Sequence, residues 1–241
     1  APVALALDQE KRVTDQINGL LRIAREEYDF ASEQFMQWFI KEQVEEVATM
    51  SSLLTVAKRN ADYAAVEVMN TILGGSFTSR LNTNLRETHG YSYGATSFFD
   101  MRRAAGPFLA GAGVQTDKTA EALKEFFNEF NAILRPVPAD ELARFKNYAA
   151  LSFAGEFETS GQLAAKLESM AIYSLPDDVY TGYVSAVQAV TAGDLTRVAK
   201  QSLLLDRLAV VVVGDRATIE APIRAANLGP VTLVPVADVM K

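Results

Sequence analysis

The sequence predicts an α-helical hairpin followed by an α+β domain, in which helices pack on one face of a mixed, mostly antiparallel sheet. Of the 14 glycines and 8 prolines in the 241 residues, only Gly19 and Pro2 precede residue 60. The first segment therefore has the composition of continuous helices, whereas the remainder contains the turn residues that strands need. Apolar residues recur at helical spacing in the first segment, and two β-type runs follow it. These observations divide the chain into residues 1–59 and 60–241.

The first 59 residues are predicted to form two antiparallel helices joined by a short turn. The first helix spans about Leu5 to Arg25, and its apolar positions are Val13, Ile17, Leu20, Leu21 and Ala24. The second helix follows the polar residues 26–29, and its apolar positions are Phe35, Trp38, Phe39, Val47, Met50, Leu53, Leu54 and Ala57. Either Asp29 or Ser32 is positioned to cap this second helix.

Residues 60–241 are predicted to alternate helices with a few strands. A third helix runs from Tyr63 to Leu73 and ends at Gly74-Gly75, and two strands follow, Tyr91 to Phe99 and Phe108 to Val114. Thr116-Asp117 caps the next helix, and the predicted helices after the strands cover about 118–134, 139–153, 159–173, 177–189 and 192–203. The β-branched run Leu208 to Val213 is typical of a buried strand.

Net charge and residue counts exclude several classes of function. The formal charge of −7 argues against a nucleic acid or an anionic membrane as partner, since either needs clustered cations. The chain has no cysteine and one histidine, His89, so it cannot form disulfides, thiolate zinc sites or a site built on two of its own histidines. No apolar run reaches the length of about 18 residues that a membrane span needs. We therefore expect a soluble protein without a leader, in the bacterial cytoplasm or periplasm.

An ordered series of motifs begins at Asn70. It comprises Asn70-Thr-Ile-Leu-Gly-Gly-Ser-Phe-Thr-Ser-Arg80, Glu87-Thr-His-Gly-Tyr-Ser-Tyr93, Gly106-Pro-Phe108, Val114-Gln-Thr-Asp-Lys-Thr119, Tyr173-Ser-Leu-Pro-Asp-Asp178 and Val212-Val-Gly-Asp215. With these motifs, residues 60–235 resemble the insulinase/pitrilysin family of zinc peptidases. Members of this family close two similar α+β halves around a peptide, and one half bears zinc in an H-x-x-E-H helix. The resemblance implies that this chain is the other, non-catalytic half, because its single histidine cannot supply that motif.

The resemblance also implies site residues. The family uses an arginine and a tyrosine seven residues apart in its non-catalytic half, and these match Arg86 and Tyr93. A guanidinium can bind a substrate carbonyl or carboxylate, and a phenol can donate to the oxyanion that forms at the scissile carbonyl. Gly74, Gly75 and Ser76 are predicted to help present the peptide as an added strand. The alternatives are that Arg86 pairs with a nearby acid, that Tyr93 is a half-buried strand aromatic, and that the glycine pair only caps a helix.

Two neighbouring residues have simpler expectations. Arg80 is expected to anchor its own loop or helix, and His89 is expected in a surface turn without a partner. The resemblance implies a zinc-bearing homologous half or subunit and a peptide as partners. Zinc is expected in that partner half, and no cofactor is expected on this chain alone.

Residues 1–59 depart from that family, whose half-domain begins with strands. They contain Thr14-Asp-Gln-Ile-Asn18, Ala24-Arg-Glu-Glu-Tyr-Asp-Phe30, Phe35-Met-Gln-Trp-Phe39 and Glu42-Gln-Val-Glu-Glu46. These segments resemble the last two long helices of a bacterial ferritin. Under this resemblance, Glu10, Gln43 and Glu46 match ferroxidase-centre ligands, and Glu42 and Glu45 match an accessory iron site. The first two ferritin helices and their Glu-x-x-His ligands are missing.

Three interpretations of the hairpin remain open. Its acids form an iron-binding half-site, they are solvated edges of a hairpin whose aromatic face packs elsewhere, or two copies pair into a four-helix bundle that buries Trp38 and Phe39. For the whole chain, the leading hypothesis is the non-catalytic, substrate-binding half of a zinc metallopeptidase, inactive alone. The alternatives are a ferritin-like iron-binding module with a passive domain, and a purely structural family member. Arg86 and Tyr93 favour the first hypothesis over the last.

Overall fold

The computed structural model describes residues 2–102, 106–173, 175 and 177–235, with the backbone only for residues 2 and 52–61. It divides the chain into two compact units, Ala1–Tyr63 with Asp100–Pro107, and Ala64–Phe99 with Phe108–Lys241. Among the described residues, no helix is both long enough and apolar enough to cross a membrane. Some residues that the sequence analysis named lie outside the described side chains: Leu53, Leu54, Ala57, Ser174 and Pro176.

The first unit contains an antiparallel hairpin of two helices, α1 (Pro2–Glu26) and α2 (Phe30–Ala61). On α1, the buried side chains are Leu7, Leu21 and Ala24. Leu21 lies about four helical turns after Leu7, and Ala24 lies about one turn after Leu21, so all three share one side of the helix. Asp29 caps α2, since its carboxylate accepts the Ser32 N–H at 3.1 Å and the Ser32 hydroxyl at 2.5 Å. These hydrogen bonds hold the pKa of Asp29 below its ordinary value. The predicted hairpin is therefore present, and Asp29 rather than Ser32 provides the capping carboxylate.

The second unit begins within helix α3 (Tyr63–Asn70), which continues as a π-helical turn, Thr71–Gly75. A short helix α4 (Arg80–Asn82) and a second π-helical turn (Thr83–Thr88) lead into strands β1 (Ser92–Phe99) and β2 (Phe108–Val114). After a 3-10 turn (Thr116–Lys118), the remaining elements are α5 (Thr119–Ile133), α6 (Ala139–Ser152), a 3-10 turn (Phe153–Phe157), α7 (Ser160–Tyr173), α8 (Tyr183–Ala189), α9 (Ala192–Ser202), a 3-10 turn (Leu205–Arg207) and α10 (Arg216–Ala226).

Strands β1 and β2 pair antiparallel, with Phe99 opposite Phe108 and Ala95 opposite Ala112. Burial alternates along β1, since Ala95 is buried and Thr96 is exposed, which is the pattern of a sheet covered on one face. The core of this unit contains fully buried side chains from helices before and after the sheet, among them Met69, Leu73, Leu85, Phe145 and Leu195. The predicted α+β class and the antiparallel strand pair are confirmed.

The predicted strand from Leu208 to Val213 is wrong. These residues join no ladder, and Val211 and Val213 are 86% and 92% exposed. In the part of the chain that the structure describes, β1 and β2 form a two-stranded sheet, so the valine run has no neighbouring strand. Strand propensity largely reflects packing against such a neighbour, which explains why the run remains irregular. The helix predicted over 177–189 is also shorter, because it begins only at Tyr183.

Candidate functional site

The predicted site residues lie on one continuous segment of the second unit, from the first π-helical turn to β1. Two asparagines fasten this segment to β1: Asn82 Oδ1 accepts the Ala95 N–H at 2.9 Å, and Asn70 Oδ1 accepts the Ser97 hydroxyl at 2.8 Å. Short π-helical stretches are often found at functional sites. The sequence analysis assigned no role to either asparagine. Asn70 could have been noticed, because it is a polar residue at the end of the largely apolar helix α3.

Gly74 packs directly against β1. A Cβ at this position would lie 2.5 Å from Ser97 Oγ and 2.6 Å from Ser97 N, so only glycine allows this close approach. Gly75 is exposed, whereas Ser76 is buried and donates its hydroxyl to the Thr71 carbonyl at 3.2 Å. Of the three residues predicted to contact a peptide, Gly75 is therefore the accessible one, and Gly74 positions the turn.

Arg86 lies in the second π-helical turn with its guanidinium over an aromatic ring. Its Cζ is 4.4 Å from the centroid of Phe77, which is within the range of a cation–π contact. Its Nε is 3.4 Å from Glu87 Oε1, and the Glu87 side chain is 63% exposed. An ion pair this exposed stabilises the folded state by only about 0–1 kcal/mol. Arg86 thus has an acidic neighbour, but one that an incoming carboxylate or carbonyl can replace easily.

Tyr93 is the second residue of β1 and is 98% exposed. Within the described residues, no hydrogen bond reaches its hydroxyl. Tyr93 is therefore not the half-buried strand aromatic of the alternative interpretation. Its ring and hydroxyl are both available to a molecule that approaches this surface.

A depression of about 280 Å³ adjoins this segment. It is lined by Thr78, Arg80, Thr83, Asn84, Thr88, His89, Glu129, Glu141 and Arg144, and neither Arg86 nor Tyr93 lines it. Arg80 donates to both carboxylate oxygens of Glu141, at 2.8 and 2.7 Å, and these hydrogen bonds raise the pKa of Arg80 above its ordinary value. This largely buried, bidentate pair ties the segment to α6, so Arg80 has an anchoring role.

His89 has a partner, so the expectation that it would have none is wrong. Its Nδ1 lies 2.8 Å from Asn84 Oδ1, while Asn84 Nδ2 donates to Glu125 at 3.0 Å and to Glu129 at 2.7 Å. Because the Asn84 amide nitrogen is the donor in both contacts, its oxygen accepts from His89, which assigns the imidazole proton to Nδ1. His89 is exposed, as expected for a surface turn.

The hairpin brings Glu10, Gln43 and Glu46 together. Gln43 is 5% exposed and donates through Nε2 to the Glu10 carboxylate at 2.8 Å and to the Glu10 carbonyl at 3.0 Å. A hydrogen bond with Glu10 raises the pKa of Glu46, and repulsion from Glu10 raises it further. Among the described residues, no group of three or more His, Cys, Asp or Glu side chains is arranged to hold a metal ion.

The contact between Glu10 and Glu46 gives a pH-dependent prediction. Because folding raises the pKa of Glu46, its stabilising contribution is complete below the ordinary value of 4.5 and is lost as the pH rises through the folded value. An amide can donate to Glu10 at every pH. Glu46→Gln should therefore raise the thermal midpoint at pH 7, measured by circular dichroism, with little difference at pH 4. Glu45→Gln, at an exposed position of α2, is the control, and an equal gain at both pH values would contradict the prediction.

The chain is similar in sequence and structure to known peptidase domains. The family described as "Peptidase M16 inactive domain" matches residues 24–148. The structure of a peptidase M16 inactive domain from Pseudomonas fluorescens is similar, with a TM-score of 0.53, 28% identity, and coverage of 58% of this chain and 34% of that one. A protease from Helicobacter pylori shares the fold, with a TM-score of 0.53, 23% identity, and coverage of 59% and 34%.

A short stretch is similar to ferritins. Over 57 residues, or 24% of this chain, the sequence is 61% identical to ferritin BfrB of Mycobacterium tuberculosis, of which the stretch covers 32%. It is 39% identical to a bacterial non-heme ferritin of Staphylococcus aureus over the same number of residues, or 34% of that protein. This chain therefore spans about a third of the length of each of these relatives and structures.

Proposed function

Because the chain belongs to the peptidase M16 family through that family's inactive domain, we propose that it is the non-catalytic, substrate-binding half of a zinc metallopeptidase. In this role it binds an extended peptide together with a zinc-bearing homologous half. It also stabilises the tetrahedral intermediate that forms at the scissile carbonyl. The observation that carries the proposal is the accessibility of two hydrogen-bond donors, the guanidinium of Arg86 and the hydroxyl of Tyr93.

The chemistry divides between the two halves. A zinc ion bound in the partner half would supply an activated water for attack on the scissile carbonyl, whose oxygen would then carry negative charge. The Tyr93 hydroxyl can donate to that oxygen because it makes no other hydrogen bond within the described residues. Donors aimed at developing charge stabilise the transition state more than the ground state. Tyr93 would therefore act mainly on the rate of the chemical step.

Arg86 is suited to binding the substrate. The ring of Phe77 holds its guanidinium in place, and its ion pair with the exposed Glu87 is weak enough to be exchanged. A guanidinium presents several N–H donors in one plane, which matches the oxygen geometry of a peptide carbonyl or carboxylate. Arg86 would therefore fix the position of the peptide.

The proposal is tested by mixing this chain with an M16 subunit that carries the H-x-x-E-H motif. Cleavage of a fluorogenic peptide should be absent with this chain alone and should increase when both proteins are present. Cleavage by this chain alone, or no increase in the mixture, would contradict the proposal. A chelator should abolish the activity of the mixture without dissociating the two proteins, because the zinc belongs to the partner.

A second proposal concerns the hairpin, which we infer joins two copies of this chain. Each helix has an exposed apolar stripe in addition to the side chains that it buries, which among the described residues of α2 means Gln43. On α1 this stripe contains Leu5, Leu20 and Ile23, which are 68%, 55% and 54% exposed. On α2 it contains Phe35 and Trp38, which are 66% and 60% exposed. Stripes of this kind on a helix pair mark an interaction surface.

The two exposed stripes face the same side of the hairpin. Side chains advance by about 100° per residue, so each exposed stripe lies roughly 110–130° from the buried side chains of its own helix, in the same sense of rotation. The two helices are antiparallel, so a similar rotation about each helix axis, in the same sense when each is viewed from its N-terminus, brings both exposed stripes to the same side of the hairpin. Five side chains of this size expose on the order of 500 Å² per copy, enough for a small dimer interface. Two such faces would complete a four-helix bundle.

Analytical ultracentrifugation tests this assembly. We expect the wild-type chain to sediment as a dimer, and Trp38→Glu to weaken dimerisation by about 100-fold, because it places a charge in the apolar interface. Val44→Glu is the matched control, since Val44 is 64% exposed but lies on the opposite side of α2. A monomeric wild-type chain, or equal effects of both substitutions, would contradict the proposal.

A further inference from the structure

An aromatic cluster in the second unit has no role in the proposed function. It consists of Phe153, Phe157, Tyr180 and Tyr183, from the 3-10 turn after α6 and from the segment that leads into α8. Phe153 stacks on Tyr183 with 4.3 Å between ring centroids. Phe157 contacts Phe153 at 5.0 Å and Tyr180 at 5.5 Å. All four rings are half-buried, so the cluster reaches the surface.

A cation already lies in this cluster. The ammonium nitrogen of Lys166, on α7, is 5.6 Å from the ring centroid of Phe157 and 5.4 Å from that of Tyr180. Both distances fall within the range of about 6 Å over which a cation is attracted to an aromatic face. The same ammonium pairs with the carboxylate of Glu156. The cluster therefore provides the rings and the carboxylate that an ammonium group prefers.

Two acidic residues, Glu156 and Glu67, lie near the Lys166 ammonium. Glu67 interacts electrostatically with both Glu156 and Lys166. Its pKa is raised, mainly by burial and further by repulsion from Glu156, while the positive charge of Lys166 acts in the opposite direction. Burial, Glu67 and Glu156 together raise the pKa of Tyr183 to about 12. The Lys166 ammonium thus pairs with one carboxylate, and Glu67 is a second acidic residue close enough to interact with it electrostatically.

We propose that the aromatic cluster, with Glu156, is a binding site for the cationic side chain of a lysine or arginine in a bound polypeptide, and that Lys166 occupies it in the absence of ligand. The Lys166 side chain is 28% exposed and that of Glu156 is 48% exposed, so the contact opens to solvent. A ligand cation that replaces Lys166 keeps Glu156 paired and both rings covered. Lys166 then extends into water, where a lysine ammonium is well solvated.

This inference is independent of the proposed function. The cluster shares no residue with Arg86, Tyr93 or the glycine turn, and its test needs no zinc-bearing subunit. Failure of the cation site would leave the peptidase role untouched, and failure of the peptidase role would leave the cation site untouched.

The test is calorimetric titration of the full chain with acetyl-Gly-Lys-Gly-amide and with the same peptide containing norleucine. We expect only the lysine peptide to bind, because norleucine lacks the charge. Lys166→Met should tighten binding about tenfold, since the competing side chain no longer holds the site. In that background, Phe157→Leu or Tyr180→Leu should weaken binding about tenfold by removing one cation–π face.

The control is Lys200→Met, at an exposed position of α9, which should leave both titrations unchanged. Two ring variants are included so that a folding defect in one, detected by circular dichroism, does not decide the result. Equal binding of the two peptides, no binding of either, or no gain from Lys166→Met would overturn the proposal.

Discussion

Replacing Tyr93 with phenylalanine should slow peptide cleavage by the complex with a zinc-bearing half by about 10²–10³-fold. The substitution removes one hydroxyl and leaves the ring in place. Because Tyr93 is 98% exposed, folding of the chain should be unchanged. The loss should appear in kcat with little change in KM, since the hydrogen bond to the oxyanion exists only in the transition state and the intermediate.

Two further variants make this result specific. Tyr148→Phe removes the hydroxyl of another exposed tyrosine of the same unit and should leave cleavage unchanged. Arg86→Ala should raise KM, because it removes a contact to the bound peptide. An unchanged kcat for Tyr93→Phe, in a complex of normal stoichiometry, would contradict the assignment of Tyr93 to the oxyanion.

Substitution of Gly74 by alanine is expected to lower the free energy of unfolding by about 2–3 kcal/mol. The added Cβ would lie 2.6 Å from the backbone nitrogen of Ser97, and a backbone atom in a paired strand cannot move aside cheaply. The π-helical turn would then shift away from β1 and weaken the Asn70 hydrogen bond to Ser97. Urea denaturation followed by circular dichroism measures this loss.

The matched control for this substitution is Gly111→Ala in β2, where an added Cβ meets no atom within 4 Å. Its effect should stay within about 0.5 kcal/mol. Trp38, on α2, is the single tryptophan of the chain, so its fluorescence reports on the hairpin. Its emission in the absence of urea should be the same in both variants as in the wild-type chain. Equal unfolding midpoints for Gly74→Ala and Gly111→Ala would show that the close approach is not essential.

Local patterns predicted most elements of the fold. Helical spacing of apolar residues identified α1 and α2, and the two β-type runs identified β1 and β2 close to their observed ends. The cap at Asp29 was also predictable, because a side-chain oxygen that accepts a nearby N–H acts within one turn of helix. Interactions between residues a few positions apart depend little on the rest of the chain.

The valine run at 208–213 shows where local patterns fail. Its residues are strongly β-branched, but a strand exists only when another strand accepts its hydrogen bonds. No neighbour is present in the described sheet, so the side chains of Val211 and Val213 remain exposed. Sequence composition cannot reveal whether a neighbour is available, because that depends on residues distant in the chain.

The candidate site was predicted only in part. Arg86 and Tyr93 were named through a family resemblance, and their residue types alone did not distinguish them from other surface residues. The contacts that position the site were not predictable: Phe77 under the guanidinium, and Asn70 and Asn82 against β1. These contacts depend on how the π-helical turns face the strand.

The sequence by itself determined the two unlike segments, the helical hairpin, the strand pair and the absence of any second histidine. These features could be predicted because helix and strand periodicity depends on residues only a few positions apart, and residue counts need no structure at all. Only the tertiary structure decided that Gly74 is a packing residue, that Tyr93 is open to solvent and that Lys166 lies among aromatic rings. These properties depend on the atoms that surround each side chain in space, and those atoms come from other elements of the chain: Gly74 meets Ser97 of β1, and Lys166 meets Phe157 and Tyr180.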